Sequence, residues 1–177
     1  YTPQGDLSLS GRYTLTGGMM KYALPVIPLK EFNINNGSYV EWTGNPMDPM
    51  LNLKATERLR ASVGSESGQS RMVNFDVSIV VKNRLDNLSL AFEIDAPDDA
   101  EVQNQLASMS ADERGKQAIA MLATGLYLAN SGSSGGGGLN MGSALNSILS
   151  MMLPMQAESV PTIVSVIHSV SSTIVSR

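Results

Sequence analysis

The sequence predicts a mainly β fold, an antiparallel sheet with one apolar face followed by short C-terminal helices. Three observations carry this. Four stretches place apolar side chains on every second residue: Leu7, Leu9, Tyr13, Leu15; Leu51, Leu53, Ala55, Leu59, Ala61, Val63; Val73, Phe75, Val77, Ile79, Val81; and Leu88, Leu90, Phe92, Ile94. That is the period of a strand buried on one side. The residues between them, such as Asn52, Lys54, Thr56 and Asn74, Asp76, Ser78, are polar and belong to the opposite face, towards water. Beyond Pro97 the apolar spacing changes to that of a helix.

The elements follow in order. Gly5 to Thr16 reads as a strand, and Gly17-Gly18 supplies a permissive backbone before Met19 to Leu29. In that second stretch Tyr22, Leu24 and Val26 alternate, while Pro25 and Pro28 remove ladder donors and mark an edge. Phe32 and Ile34 continue it to the turn signal Asn35-Asn36-Gly37, and Ser38 to Thr43 returns with Tyr39, Val40 and Trp42, so a hairpin about this turn is expected. Gly44 to Pro49 is a rigid corner, because Pro46 and Pro49 fix their own φ and keep the preceding residues out of the helical region. Met50 to Val63 then leaves it extended. Residues 64–70 form a polar loop, Met72 to Val81 is the strongest strand, Arg84 to Asn87 turns it, and Leu88 to Ala96 follows.

After Pro97, Val102, Leu106 and Met109 fall on one helical face, with Asp98, Asp99 and Glu101 in a first turn whose dipole favours acids. Ser110-Ala-Asp-Glu113 has the form of a capping box, and Ala118, Ile119, Met121 and Leu122 make an apolar stripe ending near Gly125. Residues 131–138, SGSSGGGG, have the composition of a flexible linker. In the tail, Ser143 to Met152 reads as helical and stops at Pro154, and Pro161 to Val175 fits a helix or a strand equally. The expected organisation is a sheet domain over 1–97, a helical pair over 98–130, a linker over 131–138 and an unassigned tail over 139–177.

Composition narrows function mainly by exclusion. The chain has 177 residues, a net charge of -4 with its Lys and Arg scattered, and no Cys. Nucleic acid is thereby disfavoured for want of a basic patch, and thiolate chemistry and disulfides are excluded. Aromatics are only 5% against 11 Met, so the apolar surface is mostly aliphatic and thioether, an adaptable lining. The single histidine, His168, has no neighbouring acid or cysteine at metal-ligand spacing and reads as packed or solvated. Asp95, Asp98, Asp99 and Glu101 read as helix capping rather than paired catalytic carboxylates. Gly135 to Gly138 lacks the Lys-Ser/Thr ending of a phosphate loop, and Trp42 reads as a packing anchor. No cofactor, metal or enzymatic activity is expected. The chain starts without Met, and a longer parent protein is expected.

Periodicity leaves two coverings open for the greasy face: a second sheet or the helices, as in a structural or adhesive β-sandwich of the cell surface, or a groove left for something apolar. A resemblance favours the second. Gly44-Asn-Pro-Met-Asp-Pro-Met-Leu-Asn-Leu-Lys-Ala-Thr56, preceded by Phe32-Asn-Ile-Asn-Asn-Gly37, resembles the C-terminal domain of TamB, the translocation and assembly module subunit of Gram-negative envelopes. The segment Leu90 to Leu128, with Ser-Ala-Asp-Glu-Arg and Leu-Ala-Thr-Gly-Leu-Tyr-Leu, is similar to the Bacteroidetes-like form of that family.

The resemblance implies a curved β-taco or half-pipe with a hydrophobic concave face, the last part of a periplasmic protein anchored in the inner membrane by an upstream segment. It implies outer-membrane biogenesis and protein secretion, phospholipid transport, and a BamA-type barrel (TamA-like) as partner, with phospholipid acyl chains or unfolded β-strands as guests. The lining it implies is Leu51, Leu53, Ala55, Leu59, Ala61, Val63, Val73, Phe75, Val77, Ile79, Val81, Leu90, Phe92 and Ile94, beside a corner motif of Gly44, Pro46, Asp48 and Pro49. One departure stands out: Met151 to Arg177 lacks the polar alternation with which the family usually approaches its barrel.

Overall fold

The computed structural model describes residues 7–24, 27–64 and 69–128, with the side chains of 22–29 left aside. His168, Pro25, the glycine-rich run 131–138 and the tail 139–177 lie outside the described residues. Among the described residues seven strands form one open, curved antiparallel sheet: β1 (Leu9–Leu15), β2 (Met19–Leu24), β3 (Ile27–Ile34), β4 (Ser38–Gly44), β5 (Met50–Gly64), β6 (Ser70–Arg84) and β7 (Ser89–Asp95). A single 3-10 turn, Leu85–Asn87, separates β6 from β7, and two helices follow, α1 (Ala100–Ser108) and α2 (Ala111–Thr124).

The backbone of the sheet is the β5–β6 pair, in uninterrupted register from Met50 opposite Arg84 to Gly64 opposite Ser70. β7 lies on the far edge of β6. The near edge of β5 is shared: β4 takes Met50 to Asn52 and β3 takes Ala55 and Thr56.

This division corrects one reading. β3 and β4 are not partners across Asn35-Asn36-Gly37; β1 pairs with β4 and β2 with β3, so residues 9–44 form one long hairpin, bent in the middle, whose reversal lies between Leu24 and Ile27. The turn residues do bend the chain, with Gly37 at φ 88, a value only glycine holds without strain. What they make is a kink within one arm. There the Ser38 hydroxyl donates to the Lys54 carbonyl at 3.2 Å and accepts from the Lys54 amide at 3.1 Å, taking the place of a ladder partner that the kink removes. The Asn35 amide donates to the same carbonyl at 2.8 Å. A turn signal specifies local φ and ψ, not which strands pair beside it.

The helices start and stop by local chemistry. Asp99 caps α1, its carboxylate accepting from the Val102 amide at 3.1 Å. Ser110 and Glu113 form a complete capping box on α2, and Gly125 closes it in the left-handed conformation at φ 71. One apolar core holds sheet and helices together. Met20, Phe32, Val40 and Trp42 join it from the bent hairpin, Val102 and Leu106 from α1, and Ala118, Met121 and Leu122 from α2.

Candidate functional site: a covered apolar trough

Register and side-chain alternation place the candidate lining on one surface. Odd residues of β5 stand opposite odd residues of β6, as Leu53 opposite Val81 and Ala61 opposite Val73. These in turn meet the even residues of β7, Val77 opposite Ile94, Ile79 opposite Phe92 and Val81 opposite Leu90. Leu59, Leu90 and Phe92 are half-buried, and the rest of the lining is buried. The inner face is therefore apolar over most of its length, and it is occupied. Val102, Leu106, Ala118, Met121 and Leu122 of the helices belong to the same cluster as the lining. Tyr127, just beyond α2, stacks on Phe75 with centroids 4.8 Å apart and planes inclined 27°. α2 approaches β7 closely at Gly115, where a Cβ would stand 3.5 Å from the Phe92 carbonyl oxygen. Burial holds the Tyr127 hydroxyl in its neutral form, pushing its pKa up to about 12, while its oxygen donates to Gln105 Oε1 at 3.1 Å.

Two charged residues interrupt this surface. Glu57 has the parity of the lining and stands opposite Val77, which is 0% exposed. Lys30 of β3 reaches its Oε1 at 3.5 Å, while the other carboxylate oxygen, Oε2, is buried without a hydrogen bond. The ion pair lies just past Thr56, where β3 leaves the edge of β5. The alternation in the sequence already marks position 57 as inward, and its charge is the signal that was passed over.

The corner residues act on the sheet, not on the trough. Trp42 Nε1 donates to the Pro46 carbonyl at 3.1 Å, which makes it a packing anchor of the corner. Asn45 Oδ1 accepts from the Met47 amide at 2.9 Å, and Pro49 is fully buried. Asp48 accepts from Arg84 Nε at 2.6 Å, so the corner before β5 is tied to the last residue of β6. Gly44 ends β4 with φ 131. Nothing in the spacing of the motif names Arg84 as its partner.

Polar contacts fasten the helices at the start of α1. Arg71 meets Asp99 with two bonds, 2.9 and 3.0 Å, and Glu101 with a third of 2.8 Å. The Asp99 carboxyl is held below the usual range, first by the Arg71 guanidinium and then by the Val102 amide, and the guanidinium is in turn held more firmly protonated. Gln103 Oε1 accepts from the Ala96 amide at 2.6 Å, and its Nε2 donates to Asp95 at 3.2 Å. Of the acids read as caps, Asp99 caps the helix and also holds Arg71; Glu101 holds Arg71, while Asp98 and Asp95 accept from Asn74 and Gln103.

The opposite face carries ion pairs, Arg58 with Asp76 at 2.7 Å and Lys54 with Glu93 at 2.7 Å. Between them lies an open polar recess of about 380 Å³, lined by Thr56, Asp76, Ser78, Asp95 and Gln103 among others. Ser78 is the exception to the expectation that this face is wet: it is buried at the floor of the recess, 2.8 Å from the Thr56 hydroxyl.

Among the described residues no helix is long and apolar enough to cross a membrane. Neither a curated protein nor a solved structure matches the chain. A family model, that of the TamB C-terminal domain, matches residues 1–167. Nearly the whole length is covered, including the corner, the strands of the trough and the helical cover, and the chain belongs to the TamB C-terminal domain family.

Proposed function

We propose that this domain serves envelope biogenesis as a non-enzymatic conduit, its concave face receiving the acyl chains of phospholipids or an unfolded β-strand in transit. Membership of the TamB C-terminal domain family supports the envelope role. The single observation that carries the finer reading is the apolar inner surface of β5, β6 and β7, broken at Glu57 and closed by two short helices rather than by a second sheet among the described residues. Apolar surface attracts without direction, at roughly 25 cal/mol per Å² removed from water, which suits passage of varied guests better than tight recognition.

In this reading the domain works in the periplasm, as part of a longer protein anchored in the inner membrane, and meets a BamA-type barrel of the TamA kind. Mass spectrometry of the purified chain should detect co-purifying phospholipid, and a transfer assay between vesicles should show exchange above background. Protein free of lipid that also fails to exchange it would end the conduit reading.

A further inference from the structure

Resting on that reading, we infer that α1, α2 and the segment to Leu128 form a hinged cover over the trough, a unit that swings off the sheet to admit an apolar guest and re-seats when the guest leaves. Three observations point the same way.

The cover is self-contained. Its helical ends are satisfied from within, by Asp99 on Val102, by Ser110 with Glu113, and by Gly125. Its parts are bonded to each other, the Tyr127 hydroxyl donating to Gln105 and the Leu128 amide to Gln117 Oε1 at 3.3 Å. Helices keep their backbone hydrogen bonds inside the segment, so lifting them breaks no ladder, whereas removing β7 would break a row of bonds to β6.

Its fastening is also asymmetric. Ion pairs and hydrogen bonds to Arg71, Asn74, Asp95 and Ala96 gather on Asp98 to Gln103, where the chain leaves the sheet through Pro97. Farther along, the cover meets the sheet through packing at Gly115 against Phe92, Met121 and Leu122 in the core, and Tyr127 on Phe75. A polar clasp at one end and non-directional contact along the rest describe a hinge and a leaf.

The leaf is chemically replaceable. The side chains it presents, Val102, Leu106, Ala118, Met121 and Leu122, are aliphatic or thioether, the same class of surface that an acyl chain offers.

The absence of cysteine allows a clean test in the full chain. Phe92→Cys with Gly115→Cys offers a staple between β7 and α2, at the point where a Cβ on Gly115 would stand 3.5 Å from the Phe92 carbonyl oxygen, and loss of both free thiols on oxidation checks that the bridge has formed. Uptake of the fluorescent fatty acid cis-parinaric acid should fall at least tenfold when the pair is oxidised and return on reduction. Equal uptake in both states overturns the cover and leaves the trough reading standing.

Uptake in neither state sinks the trough reading, and the cover is then decided by thiol labelling of Val77→Cys, a site 0% exposed. Labelling at least tenfold faster than global unfolding allows, with little dependence on urea, supports local opening. Tyr127→Ala should raise that rate further. Labelling that follows global unfolding with the same urea slope overturns the proposal whatever the lipid result.

Discussion

The two faces of the β5–β6 ribbon share one backbone register and hold together by different physics. Inside, Ala55, Ile79 and Val77 are buried against helices and against each other, so their contribution is area removed from water and tight packing. Outside, Arg58–Asp76 and Lys54–Glu93 face solvent, with Arg58 more than half exposed, and such pairs contribute little. The ribbon thus stands on one face and is decorated on the other. Stability therefore draws mainly on the inner side chains.

The sharpest way to break this contrast is a charge on the inner face. Ile79→Asp should cost at least ~4 kcal/mol, since it leaves an unpaired charge in the core, and urea unfolding should show a domain that is largely unfolded. A stable Ile79→Asp variant would mean that water already reaches the lining. Phe75→Ala removes the partner of Tyr127 and a fully buried ring, and about 3–5 kcal/mol should be lost in the same measurement.

The ion pair within the trough sharpens the contrast from the other side. Replacing both Glu57 and Lys30 by Met should be neutral or stabilising by up to ~4 kcal/mol, because desolvation of a partly buried pair offsets most of its attraction. Glu57→Met alone should be less stable than the double variant, as it strands the lysine. A double-mutant cycle in urea reads both.

Acid should act on the clasp before it acts on the sheet. The Asp99 carboxyl has a folded pKa below its unfolded value of about 3.9, so its contribution is complete above that value and is lost as pH falls through the folded pKa. Amide exchange over α1 should quicken in that window at unchanged β5–β6 protection, and equal loss in both regions would count against a separate clasp. The smallest effect belongs to the outer face: Arg58→Ala should leave the urea midpoint almost unchanged, with a shift that shrinks further in high salt.

Much of the fold was legible because it is written in short-range chemistry. Alternation located β5, β6 and β7, the Ser110–Glu113 capping box fixed the start of α2, and Gly125 its end. Pairing was less legible. Asn35-Asn36-Gly37 carries every mark of a hairpin turn, yet the structure uses it as a kink, because the decision rests with Lys54, a residue sixteen positions beyond Ser38. The site shows the same division. Which residues share the inner face could be read from parity, but its cover depends on Gly115 approaching Phe92 and on Arg71 reaching Asp99, and neither contact leaves a periodic trace. Glu57 is the instructive case between them, since its parity was visible and only its partner Lys30 was not.

The double bond pattern of Ser38 to Lys54 has a consequence for how such a domain acquires its form. A chain that changes direction beside a straight neighbour strands the amide and the carbonyl of one residue of that neighbour, and here a hydroxymethyl group bonds both, sharing the carbonyl with the Asn35 amide. The course of the outer arm is then held in part by a side chain and not by the ladder alone. The bend therefore rests on one small alcohol and one backbone amide, apart from the long β5–β6 ladder that carries the rest of the sheet.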